Sequence, residues 1–264
     1  MNPYKIEPPF YVSFSGGRTS GYMLRMILDA WGGAMPEGGH VLFANTGREH
    51  PSTLDFVHDI ETRWCPITWI EYRADAPFAA VNHETASTKG EPFAALIAKR
   101  KYLPNPVARF CTSDLKVKPM NAWMKTRHDE FTTVIGLRYD EANRVARLRG
   151  DSTRDIEMPL ADAKATRETV MAYWRDSVFD LKLPHGDQAF GNCDLCFLKS
   201  RAATERMIEH SPDSASWWIE QEKLIGGTFR KDRPDYATIL HQVTIQGRLF
   251  DDYNDSTIPC DCTE

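Results

Sequence analysis

The stretch Ser15-Gly16-Gly17-Arg18-Thr19-Ser20 is well equipped to act on an anion. Its adjacent glycines let the backbone approach a ligand closely, and a helix starting there turns its free N–H groups toward it. Ser15, Thr19 and Ser20 add hydroxyl donors, and Arg18 adds a positive charge. The stretch reads as a phosphate-binding loop; the competing reading is a tight strand-to-helix connection with no ligand. Arg48, Arg109, Arg138 and Arg144 stand in or near later polar turns of a net-acidic chain, which favours an anionic substrate over solvated surface charge. The six cysteines are Cys65, Cys111, Cys193, Cys196, Cys260 and Cys262. Cys193 and Cys196 form a Cys-x-x-Cys, which presents two thiolates from one turn and suits an iron–sulfur cluster or zinc. A redox dithiol and plain buried thiols are the other readings. Cys65, next to Trp64 at the end of a helical pattern, reads as a packing residue. The histidines show no metal-ligand spacing, and His50 reads as a surface or turn residue, with a nucleotide contact as the alternative.

The elements that must position these groups follow from hydrophobic pattern. Pro9–Phe14, His40–Asn45 and Ile67–Tyr72 read as strands, with helices after Ser20 and from Thr53 to Ile60, the second capped by Ser52. The near-continuous apolar character of the second strand suits a parallel strand covered on both faces. Phe131–Leu137 is a fourth strand, running into the charged turn Arg138–Arg144. Between Ala74 and Pro106 the pattern is irregular, with one helix over Ala94–Tyr102, and reads as a flexible insertion over the active-site edge. Beyond Pro159-Leu160 the pattern is helical: Thr166–Arg175, Leu198–His210 and Ser214–Leu224. The expected fold is α/β, a doubly wound, mostly parallel sheet with a helical C-terminal layer. Residues 1–160 read as a nucleotide-binding core and 161–264 as a helical region with the Cys-x-x-Cys and a cysteine tail, together one continuous domain.

A chain of 264 residues with 42 % hydrophobic content can build a substantial core. A net charge of -5 excludes a strongly basic nucleic-acid surface but leaves room for a local basic patch. No apolar run approaches the ~18 residues of a membrane span, and no leader pattern opens the chain, so the expectation is a soluble cytoplasmic protein with no membrane partner.

Taken in order, these segments resemble the phosphoadenosine-phosphosulfate (PAPS) reductase family of the adenine-nucleotide α-hydrolase (PP-loop) superfamily. Ser15–Ser20 is similar to the PP-loop Ser-Gly-Gly-x-Asp-Ser, with Thr19 in place of the usual Asp. Asn45-Thr46-Gly47 through Pro51-Ser52-Thr53 is similar to the family's Asp-Thr-Gly…Pro-Glu-Thr segment. Arg109–Pro119 resembles the segment that opens with paired cysteines in iron–sulfur members; here Cys111 is kept and Thr112 fills the second place. Gly136-Leu137-Arg138, with Glu141 and Arg144, is similar to the stretch that handles phosphate or sulfate, and Cys193 and Cys196 fit the cluster's Cys-x-x-Cys.

The resemblance implies an adenine nucleotide (PAPS, its unphosphorylated form APS, or ATP) across the strand ends. Ser15–Ser20, Asn45, Thr46, Gly47, Arg109, Gly136, Arg138 and Arg144 are the implied binding residues. It implies a [4Fe-4S] cluster on Cys111, Cys193 and Cys196, with zinc as the alternative and Cys262 as a candidate fourth ligand. It further implies reductive sulfur chemistry with Cys260 or Cys262 as nucleophile and a thioredoxin-like reductant as partner, in a chain that could work as a homodimer. The family's terminal Glu-Cys-Gly-Leu-His is absent, since this chain ends Cys260-Asp261-Cys262-Thr263-Glu264. The intact double glycine also suits an ATP-dependent sulfurtransferase that thiolates a nucleic acid or small molecule. A nucleotide-sensing module without turnover is the third reading.

Overall fold

Alternation along the first two strands explains why both faces of the sheet are covered. In β1 (Phe10–Phe14) and β2 (Gly39–Asn45), Phe10, Val12, Phe14, Val41 and Phe43 join one buried cluster. Their neighbours Tyr11, Leu42 and Ala44 join a second cluster with Met120, Trp123 and Met124. Successive side chains of a strand point to opposite faces, so two apolar sets require two covering layers. The computed structural model describes residues 2–151 and 155–246.

The chain runs β1, α1 (Arg18–Ala30), β2, α2 (Pro51–Arg63), β3 (Thr68–Glu71) and β4 (Ala79–Val81). It continues through α3 (Glu91–Arg100), the single turn α4 (Phe110–Thr112), a π-helical turn at Ser113–Val117 and α5 (Lys118–Lys125). Then come β5 (Thr132–Val134), α6 (Ala142–Arg149), β6 (Ile156–Glu157) and α7 (Pro159–Asp162). The described residues continue through α8 (Arg167–Arg175), α9 (Arg201–His210), α10 (Ala215–Ile225) and α11 (Tyr236–His241) to a π-helical turn at Gln242–Gln246. The sheet order is β4-β3-β2-β1-β5-β6, parallel except for the β3–β4 pair. After β1 the chain builds outward through β2 and β3, then returns to add β5 on the other side. The reversal places a crevice at the carboxyl ends of β1 and β5, where open α/β sheets bind ligands.

The fold is the expected doubly wound α/β sheet, with two corrections. Residues 74–106 hold an antiparallel edge strand and α3, and none of them lines the crevice beside β1. Helix α2 is capped by His50 rather than Ser52: His50 Nδ1 accepts from the Ser52 N–H at 3.1 Å, with Pro51 at the first helical position. Helix α8 packs on α1 through Trp174, whose Nε1 donates to the Arg18 carbonyl at 2.8 Å. A Cβ on Gly21 would meet the Trp174 ring at 2.8 Å, so this close approach requires the glycine. Cys65 is buried in the main cluster, and burial pushes its thiol up to about 11, as a packing residue requires.

The His50 cap works only while Nδ1 is unprotonated. Burial, then His210 and Lys199, hold its pKa below the ordinary histidine value, with Asp55 opposing. Its folded pKa lies below the unfolded one, so the cap's stability is complete above about pH 6.5 and is lost as pH falls through the folded pKa. Thermal unfolding should show the wild type losing more stability between pH 7.5 and pH 5.5 than His50→Asn, by about 0.5–2 kcal/mol.

Candidate functional site

The loop after β1 is shaped from beneath. Gly16 has φ +73°, and a Cβ there would lie 2.6 Å from Thr53 Cγ2 and 3.0 Å from Val57 Cγ2. Helix α2 thus presses the loop into a form only glycine adopts without strain. Gly17 caps α1 with no side-chain hydrogen bond, which leaves first-turn N–H groups uncapped. Ser20 ties the loop together: its Oγ accepts from the Ser15 N–H at 3.2 Å, lies 3.0 Å from Ser15 Oγ and donates to the Gly17 carbonyl at 3.0 Å.

This uncapped helix end opens on a cavity of about 410 Å³ at the β1/β5 crevice. Residues 15–19 and Gly136 line it, and Arg138, Arg144 and Arg167 supply charge. Val170, Met171, Leu181 and Leu183 make an apolar wall, and Asn192 lies at its cysteine-side end. Glu141 is the lining carboxylate, and it organises the arginines. Its Oε2 accepts from the Arg138 N–H at 3.0 Å and lies 3.3 Å from Arg138 Nη1, while its Oε1 binds Arg144 Nη1 at 2.5 Å. Arg138 also reaches Thr19 Oγ1 at 3.4 Å. Arg18 turns two of its nitrogens to Asp180, at 2.7 and 2.8 Å, while its buried Nη1 has no hydrogen-bond partner among the described residues. The Thr53 hydroxyl, in the same wall, is also buried without one.

Asn45, Thr46, Gly47 and Arg109 are not brought to this cavity. The Asn45 amide donates to Glu71 at 2.7 Å and to the Ser87 carbonyl at 2.8 Å, and its oxygen accepts from the Gly47 N–H at 3.0 Å. Arg109 precedes α4, with Nε on the Pro106 carbonyl at 3.0 Å. Arg48, another strand-end arginine, pairs with Asp194 inside the Cys-x-x-Cys turn. That turn is docked on the β2–α2 turn by a bridge between Glu49 and Cys193 and by the Asp194 N–H on the Arg48 carbonyl at 2.7 Å, while Trp218 Nε1 from α10 donates to Asp194 at 3.1 Å. Asn192 and Leu195 hold positive φ, +58° and +42°, around it. For Leu195 this is a strained conformation of the sort that surrounding structure must hold in place.

Cys111, Cys193 and Cys196 line one small apolar cavity of about 10 Å³, together with Thr46, Leu115 and Lys116. The Thr46 hydroxyl lies 3.4 Å from Cys193 Sγ and donates to Glu49 at 2.8 Å. Lys116 and Lys199 are buried beside them: Lys116 Nζ stands 3.7 Å from Glu49, and Lys199 Nζ donates to the Gly191 carbonyl at 3.0 Å and to that of Cys193. Burial pushes Cys111 and Cys193 up to about 12, with Lys116 opposing the rise in both. The donor set, three soft sulfurs beside two buried ammonium groups, suits an anionic thiolate-bound group. Among the described residues, no three or more His, Cys, Asp or Glu side chains are arranged to hold a metal ion. Cys260 and Cys262 lie outside the described residues.

Residues 9–176 match the family model for the phosphoadenosine phosphosulfate reductase domain. The chain belongs to this family. The matched segment takes in the Ser15–Ser20 loop, Cys111, Arg138 and Arg144, and ends before Cys193. The chain is also similar to an uncharacterized nin region protein, ORF290, of Escherichia phage lambda, at 29 % identity over 201 residues. That alignment covers 72 % of this chain and 66 % of the phage protein, slightly under two thirds of its length. Among the described residues, no helix is long and apolar enough to cross a membrane.

Glu49, Lys116, Lys199 and Asp180 are site neighbours that the sequence reading passed over. Lys116 and Asp180 pair with residues far along the chain, Glu49 meets Cys193 and Lys116 as well as its neighbour Thr46, and Lys199 reaches backbone carbonyls, so no spacing pattern marks any of them. Arg167 carries a weak signal, since it directly follows Thr166, the N-cap of α8.

The two loop glycines should respond differently to substitution. Gly16→Ala meets Thr53 at the +73° backbone and should cost about 1–3 kcal/mol of stability. Gly17→Ala, whose Cβ would find only Ser15 Oγ at 3.6 Å, should cost less than about 1 kcal/mol. Urea denaturation of both variants, read as a midpoint shift at constant slope, checks this.

Proposed function

We propose that the chain binds an adenine nucleotide with its phosphates on the Ser15–Ser20 loop and carries out reductive sulfur chemistry as a PAPS-reductase-like enzyme. One observation carries the reading: a single cavity runs from the uncapped N-terminus of α1 to Asn192, the residue before Cys193. A ligand lying along it has its anionic end among helix N–H groups and arginines and another part beside the cysteine-bearing turn.

In this reading the first-turn N–H groups and the Ser15 and Thr19 hydroxyls bind phosphate oxygens. Arg138 and Arg144, held by Glu141, bind sulfate or a second phosphate in bidentate fashion. The apolar wall at Val170 and Leu181 takes the adenosine. Cys260 or Cys262 is the proposed nucleophile. Its thiolate attacks the sulfate sulfur, the S–O bond to the nucleotide phosphate breaks, and the adenosine phosphate leaves with the electron pair. A thioredoxin-like dithiol then attacks the resulting S-sulfocysteine at its cysteine sulfur. Sulfite leaves, the cysteine returns as a thiol, and the reductant ends as a disulfide. Cys111, Cys193 and Cys196 are the proposed holders of a [4Fe-4S] cluster, or of zinc, with Cys262 as candidate fourth ligand; a bound cluster would supply a thiolate-anchored metal centre beside the substrate.

The intact, uncapped double-glycine loop favours one second reading, an ATP-dependent sulfurtransferase in which the same N–H groups clamp pyrophosphate. Sulfite release from APS or PAPS, abolished when both Cys260 and Cys262 become Ser, supports the reductase. Pyrophosphate release from ATP with an acceptor supports the sulfurtransferase, and tight binding without product in either assay leaves a nucleotide sensor.

Calorimetric titration with APS should show Arg138→Ala weakening binding about tenfold or more, the scale of one lost charge-assisted contact. Unchanged affinity would remove the nucleotide from this cavity. Iron and sulfide analysis of anaerobically purified protein should find both elements, with both lost in Cys193→Ala/Cys196→Ala. A colourless, zinc-loaded protein would exclude the cluster.

A further inference from the structure

A second charged cavity opens beyond the carboxyl end of β3, on the other side of the Ser113–Val117 turn from the cysteines. It has a volume of about 590 Å³, larger than the loop cavity, and shares no lining residue with it. Its walls are the segment after β3, helix α3, and Asp114 with the start of α5. Arg73, Lys99, Arg100 and Lys118 face it, against a single lining carboxylate, Asp114. Asp114 is already shared between Arg100 and Lys118, the latter at 2.6 Å. Arg73 is held from behind by buried Glu71 at 2.8 Å, and Lys99 Nζ is turned to the Ala74 carbonyl at 3.0 Å. Four cations therefore stand against two carboxylates in a chain of net charge -5. Tyr72 lines the same cavity, and its buried hydroxyl has no hydrogen-bond partner among the described residues. The remaining lining, Ala76, Pro77, Leu96, Pro119 and Ala122, is uncharged.

We propose that this cavity is a second oxyanion site, which binds a phosphate group separate from any on the Ser15–Ser20 loop. Concentrated positive charge in a concave, partly apolar site attracts and retains a polyvalent anion far better than the same charges on an open surface. The phosphate can come from a small phosphorylated molecule or from a nucleic-acid backbone, and the two sources are separable.

The test uses the full chain, with inorganic pyrophosphate and a short single-stranded oligoribonucleotide as probes. Both are titrated calorimetrically against wild type, Lys99→Gln/Lys118→Gln and Arg138→Ala. Both lysines are exposed or largely so, and equal unfolding temperatures check that the fold is kept. The expected result is pyrophosphate binding at a site that the lysine substitutions weaken about tenfold and that Arg138→Ala leaves unchanged. Competition by the oligoribonucleotide at that site assigns the phosphate to a nucleic-acid backbone; indifference to it assigns a small phosphorylated ligand. Binding of both probes that is insensitive to the lysine substitutions overturns the proposal. Should the double variant unfold, crystals soaked in tungstate decide the matter: an anomalous peak among Lys99, Arg100 and Lys118 supports the site, and its absence there overturns it.

Discussion

The Arg48–Asp194 pair joins two turns nearly 150 residues apart, and the position of the cysteine-bearing turn on the sheet rests on it. Arg48 leaves the end of β2, and Asp194 lies between the two cysteines of the Cys-x-x-Cys. Burial pushes the Asp194 carboxyl up, while the Arg48 guanidinium pulls it back down. A half-buried pair of this kind is a poor source of net stability but costly to break from one side, because the remaining charge loses its partner away from bulk water. Its effect is therefore on specificity of arrangement. The Cys-x-x-Cys turn has one place on the sheet where Asp194 is not stranded, and there Cys193 bridges Glu49 and Asn192 reaches the loop cavity.

A second constraint follows from charge buried beneath the cysteines. Lys116 and Lys199 are both buried; Lys116 stands 3.7 Å from Glu49, while Lys199 is turned to backbone carbonyls, with Asp194 and Asp187 acting on it electrostatically. Burial opposes the charge on each. For Lys116 the facing Cys193 and Glu49 outweigh that cost and its pKa stands above the ordinary lysine value; for Lys199 burial wins and its pKa falls. Two buried lysines beside the sulfurs make the pocket hospitable to negative charge there. The same reasoning explains why Asn45 and Thr46, which look like ligand-facing residues, are spent on Glu71 and Glu49: buried carboxylates need those donors.

Much of this was legible in the chain. The strands after Pro9, Gly39 and Ile67 declare themselves by apolar runs that end in polar turns, and the loop is marked by its glycines and hydroxyls. Helices α8, α9 and α10 were readable to within a few residues, because their periodicity is supported by Thr166, Ser200 and Ser214 at their starts. What the sequence hid depends on tertiary pairing. Strand β4, three residues of Ala-Ala-Val, has too little pattern to show that it pairs with β3. His50 displaced Ser52 as the cap because Pro51 sets the first helical residue, a local signal that was open to reading. Arg109 looked like its fellow strand-end arginines, yet the backbone before α4 carries it to Pro106; composition alone does not separate an arginine that faces a ligand from one that closes a turn.

The π-helical turn at Ser113–Val117 lets one short segment serve two chemistries. Asp114 and Lys118 belong to the basic cavity beyond β3, while Leu115 and Lys116 border the cysteines. A π turn holds one residue more than the α turn it replaces. Deleting a single residue there would restore ordinary helical spacing and rotate everything on one side of the deletion by about 100° relative to the other. Lys116 and Lys118 would no longer keep their present assignments together. The segment works like a hinge pin shared by two doors, and a change in chain length of one residue, with no change in chemistry, would be enough to unhang one of them.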